Sequence, residues 1–112
     1  MQVEELKGKL VLFKLSEEIR GDLPLFQIYK DEVWAVVTGI DTEGIWVENS
    51  AYELGIWWDA LGNLVPQEKQ VKEKVKANIL IPWRYIKILM SVDDERFQKV
   101  KSDRLPGFKV YK

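Results

Sequence analysis

Residues 77–92 (A-N-I-L-I-P-W-R-Y-I-K-I-L-M-S-V) constrain the fold more than any other stretch. Two apolar runs rich in isoleucine and leucine flank Pro82 at the distance of one short turn. Proline has no N–H and a fixed φ, so a sheet ladder stops there and the chain is free to change direction. The stretch predicts a strand over 77–81, an interruption at Pro82-Trp83-Arg84-Tyr85, and a second strand over 86–92. It is the most apolar part of the chain and lies between charged segments. It specifies architecture and carries no chemistry.

The rest of the chain fits an antiparallel sheet around that corner. Residues 9–15 are rich in strand formers. Residues 16–21 read as one helical turn, with Ser16 as cap and Gly21 in the left-handed terminating position. An edge strand is expected over 25–29, after Pro24. Residues 33–41 and 45–49 form a hairpin around Thr42-Glu43-Gly44, where Gly44 would supply a positive φ. The extended run continues through 50–58 with Gly55 as a bulge or bend, and a turn follows at Leu61-Gly62-Asn63. The lysine-rich residues 66–76 read as a solvated connection, and the alternation over 71–76 leans toward a strand end rather than a helix. Asp93, Asp94 and Glu95 after Ser91 predict a helix over about 92–101, because acids suit a helix N-terminus. A last strand is expected over 108–111.

A chain of 112 residues is long enough for one domain with its own core. Its 46% apolar and 31% charged residues suit a globular protein. With no cysteine and no histidine, thiol nucleophiles, disulfides and the commonest metal ligand and general base are all absent. No apolar run approaches the roughly 20 residues of a membrane helix, and the N-terminus lacks a signal-peptide pattern. A cytoplasmic protein without membrane contact is expected. Residues 1–59 hold 12 acidic and 5 basic side chains, and residues 60–112 hold 6 and 12. In a small β fold the halves interleave, so this asymmetry is expected to mix on the surface rather than make one basic face.

Two short motifs carry a resemblance. Ile81-Pro82-Trp83-Arg84-Tyr85-Ile86 resembles the proline-to-tyrosine turn of Src-homology-3 domains. Val37-Thr38-Gly39-Ile40-Asp41 followed by Ile45-Trp46-Val47 is similar to the first motif of Sm proteins. The resemblance covers residues 9–92 and implies an all-β, Src-homology-3-like or Sm-like small antiparallel barrel. A short C-terminal helix and tail over 93–112 complete a single domain. Where RNA-binding Sm proteins carry a loop asparagine, this chain has Thr42-Glu43-Gly44. Where they carry arginine-glycine before the last strand, it has Pro82-Trp83. The resemblance thus implies the barrel and brings over neither an RNA site nor a proline-peptide site.

Among candidate sites, Trp57-Trp58 leads. Strand neighbours point to opposite faces, so one of the two is expected to leave the core, toward a partner or under intramolecular cover. Trp83 and Arg84 form a second candidate surface in the turn. Trp34, Trp46 and Trp83 itself read as packing residues ahead of any stacking role. Lys72, Lys74, Lys76 and Arg84 are the candidate phosphate contacts, against a plain solvated loop diluted by Glu68 and Glu73. Asp93-Asp94-Glu95 and Glu17-Glu18 read as helix-start and turn residues, not metal ligands. No phosphate loop or nucleophile motif occurs, and no metal or cofactor is implied. The expectation is a non-catalytic binding or assembly module acting through exposed aromatic surface, with a second copy or another protein as partner. Oligonucleotide binding is the runner-up, and a carboxylate-dependent enzyme comes third.

Overall fold

The computed structural model describes residues 3–99. Five strands, β1 (Leu10–Leu15), β2 (Glu32–Ile40), β3 (Gly44–Ile56), β4 (Val71–Pro82) and β5 (Ile86–Ser91), form one antiparallel sheet in the order β4-β3-β2-β1-β5. One α-helix among the described residues, α1 (Glu95–Gln98), follows. The corner at Pro82 is a 3₁₀ turn, Trp83–Tyr85, joining the two end strands. No ladder pairs β4 with β5 among the described residues, so the sheet is open. No helix there is long and apolar enough to cross a membrane. The strand expected over 108–111 lies outside the described residues.

Alternation builds the core. Val11, Phe13 and Leu15 of β1, Val33, Ala35 and Val37 of β2, and Ile45 and Val47 of β3 are all buried, pointing to one face. Leu23 and Ile28 from the β1–β2 connection cover them. Leu10 points to the opposite face, where the α1 side chain of Gln98 bonds both its N–H and its carbonyl. Phe97 of α1 meets Trp34 edge-on, with ring centroids 4.8 Å apart. Trp46 lies against Gly39.

Several local expectations change. The edge strand over 25–29 is instead a 3₁₀ turn, Leu23–Phe26, because Pro24 favours a turn start and supplies no ladder N–H. The left-handed residue of that connection is Gln27 at φ 58°, and Gly21 has no positive φ. Gly44 has none either. It is required by space, since a Cβ there would overlap Ile81 O and lie 2.8 Å from Ile81 C. The helix starts at Asp94, whose carboxylate accepts from Arg96 N at 2.9 Å, not at Ser91. Residues 71–76 are strand throughout.

β3 and β4 are much longer than their neighbours, 13 and 12 residues. Their ladder runs from Gly44↔Pro82 to Ile56↔Val71, whereas β2 follows β3 only as far as Glu48. The outer half of the hairpin therefore leaves the sheet as an arm, and the chain measures 50 × 32 × 31 Å.

Candidate binding surface on the projecting hairpin

A bulge decides what the arm displays. Between the pairs Asn49↔Ala77 and Tyr52↔Val75, β3 carries two residues where β4 carries one. An inserted residue switches the parity of a strand. Up to the bulge the core-facing residues of β3 are Ile45, Val47 and Asn49. Beyond it, cross-strand pairing places Tyr52, Leu54 and Ile56 on that same face, opposite Val75, Glu73 and Val71. The apolar face of the core thus continues onto the arm, where Leu54 and Val71 are exposed and Tyr52, Ile56 and Val75 are half-buried. The expected irregularity at Gly55 lies here, at residues 50–51. Gly55 instead makes room for the Trp57 indole, whose Nε1 would be 3.2 Å from a Cβ at that position.

The opposite face of the arm is polar. Glu53 pairs with Lys74 and Gly55 with Lys72. Lys76 reaches Glu48 at 3.4 Å. The hairpin is amphipathic, with lysines behind and aliphatic side chains in front.

Past Ile56 the chain no longer follows strand alternation, and this changes the reading of the tryptophan pair. Trp57 and Trp58 are both exposed, at 57% and 54%, rather than one in and one out. The pair lies beyond the core, so neither direction offers cover. Trp57 O accepts from Val65 N at 2.6 Å, and Trp58 bridges Leu64. The turn between them is firmly built. The Asp59 carboxylate accepts from Leu61 N at 2.9 Å and Asn63 N at 3.0 Å, and Gly62 takes φ 83°. That turn holds Leu61 and Leu64 outward at 85% exposure each. On the free edge of β3, the Gln27 side chain imitates a neighbouring strand. It accepts from Glu53 N at 2.9 Å and donates to Glu53 O at 3.0 Å.

The other candidate residues lie elsewhere. Trp83 is half-buried against the core, and its indole N–H donates to Asp41 O at 3.0 Å, pinning the β2–β3 turn. Arg84 lies over the Tyr85 ring at 4.7 Å and donates to its hydroxyl. Eleven strand steps separate Pro82 from Val71, roughly 35 Å at 3.2–3.4 Å per residue. Trp83 and Arg84 therefore share no surface with Trp57 and Trp58, and Arg84 shares no phosphate track with Lys72 and Lys74.

Sequence reasoning missed Leu54, Leu61, Leu64 and Val71 as surface residues. It also missed an apolar cleft of about 350 Å³ between the Leu23–Phe26 turn and the Ile79–Tyr85 corner. The run Leu23-Pro24-Leu25-Phe26 in a connection was the signal for the cleft. Among the described residues no three or more carboxylates converge as a metal site would need. The perturbed titrating pair is Asp94 with Arg96. The Arg96 side chain holds the Asp94 carboxyl below its ordinary value, and Asp94 raises Arg96 in turn. Both belong to a helix cap.

Family models, curated proteins and solved structures were all compared with this chain, and none matches.

Proposed function

We propose that this chain is a non-catalytic binding or assembly module. Its five-stranded core is the scaffold and its projecting hairpin is the working part. The strand order β4-β3-β2-β1-β5, with a 3₁₀ turn between the end strands, supports reading the scaffold as a Src-homology-3-like or Sm-like barrel. The observation that carries the functional reading is the apolar face of the arm. A bulge keeps it in phase with the core, yet it holds Leu54 and Val71 in solvent, and the bridged pair Trp58 and Leu64 is exposed just beyond its end. Contiguous apolar surface on a small protein marks a place where another surface sits. The mechanism is burial of aromatic and aliphatic area, with Trp58 as the anchor, whereas Trp57 lies over Gly55 on the lysine side of the arm.

A photo-reactive residue at position 64, with the exposed position 17 as control, tests this in cells. The reading expects protein adducts from position 64 and none above background from position 17. Equal, weak labelling from both would refute it.

A further inference from the structure

Resting on that reading, we infer that the occupant of the arm is a second copy of this chain, packed arm to arm about a two-fold axis. A two-fold pair needs a patch that is complementary to itself. The arm's apolar face meets this need. Across its two strands it presents Tyr52, Leu54 and Ile56 against Val71 and Val75, with one charge, Glu73. Glu73 is on β4, the end strand of the sheet, so its carboxylate can leave a face-to-face contact along the free edge.

The area suits a weak, concentration-dependent pair. Leu54 is 39% exposed, Trp58 54%, Val71 64% and Leu64 85%. With on the order of 150–250 Å² for a large apolar side chain, these four show water roughly 360–600 Å². Two copies together remove roughly 700–1,200 Å², the size of a weak interface reaching at most the lower edge of stable ones.

The alternatives fit less well. Edge-to-edge pairing through β4 places Lys72, Lys74 and Lys76 of one copy beside those of the next, the lysine pattern that blunts edge strands. An anionic membrane would meet Asp59, Glu68 and Glu73 on the arm, so the tip is not the uniformly basic rim such a surface selects. Packing of the two apolar faces leaves the lysines on the outside of both arms, in water.

The test is the molar mass of the purified full chain by light scattering on a sizing column, loaded at about 100 μM, above a micromolar Kd. The inference expects twice the 13.1 kDa chain mass. It expects Leu64→Asp to return the monomer mass and, at concentrations well below the Kd where the wild type is monomeric too, to melt with the wild type, because Leu64 contributes nothing to the core. Trp58→Ala should weaken the dimer roughly 30-fold or more, as a central anchor does. Lys87→Asp, on β5 and away from the arm, should leave it intact. A monomeric wild type, or a dimer that survives Leu64→Asp, overturns the inference. The adducts from position 64 separate the two failures. An adduct with a different protein overturns the second copy and keeps the binding module, whereas no adduct overturns both.

Discussion

Gly44→Ala is the sharpest probe of how the hairpin is anchored to the core. Gly44 is the first residue of β3, is buried, and pairs with Pro82. An alanine methyl there would overlap Ile81 O and lie 2.8 Å from Ile81 C and 2.9 Å from Pro82 Cα. These are backbone atoms of a paired strand, so no side-chain rotation relieves them. Either the inner end of the β3–β4 ladder opens or Pro82 moves off the corner. Overpacking of this kind costs about 1–3 kcal/mol, and the rigidity of the neighbours puts this site near the upper end. For a domain of this size, that lowers Tm by about 8–20 °C. Urea unfolding followed by tryptophan fluorescence measures it. Two other glycines are the controls. Gly62, at φ 83° with nothing within 4 Å of a Cβ, should cost about 1 kcal/mol on replacement by alanine, from backbone strain alone. Gly21, with open space and no positive φ, should be neutral or gain up to about 1 kcal/mol. If Gly44→Ala behaves like Gly21→Ala, close approach is not why this glycine is there.

Three further outcomes are expected. Gln27→Ala removes both side-chain bonds to the Glu53 backbone; it should cost about 1–2 kcal/mol and speed amide exchange at Glu53, and unchanged exchange there would contradict the strand-mimic role. Asp94 has a folded-state value below the ordinary 3.8, so its cap is present above that value and is lost as pH falls through the lower folded value. The Arg96 amide resonance should follow this transition, and Asp94→Asn should leave the core unaffected. Fluorescence anisotropy with a single-stranded RNA oligomer should show no binding that weakens steeply with salt, because Arg84 is remote from Lys72 and Lys76 pairs with Glu48. A steep salt slope abolished by replacing Lys72, Lys74 and Lys76 would revive the oligonucleotide reading.

Much of the sheet was legible in the sequence because period-two alternation and proline punctuation are local signals. The hairpin around residues 41–44, the interruption at Pro82 and the strand over 71–76 all follow from them. The bulge at residues 50–51 was not legible. It depends on which residues of β4 lie opposite, and a run such as Asn49-Ser50-Ala51-Tyr52 offers no glycine to mark it. Missing the bulge hides the parity switch, and with it the fact that Leu54, Ile56 and Val71 share a face. The tryptophan pair was misjudged for a related reason. The one-in, one-out rule presumes a core on one side of the strand, and the arm has already left the core when it reaches Trp57. The role of Gly44 was invisible too, because a turn glycine and a glycine pressed against a neighbouring backbone look alike in sequence.

The central claim is that the core folds by itself and the arm does the binding. The most direct measurement replaces residues 57–70 with Asn-Gly, a two-residue turn that suits a hairpin closing at the last ladder pair, Ile56↔Val71. The account predicts a monomer that melts within a few degrees of the full chain, because none of the excised residues belongs to the core cluster, and that has lost association. A shortened chain that fails to fold, or one that still associates as the full chain does, would contradict it.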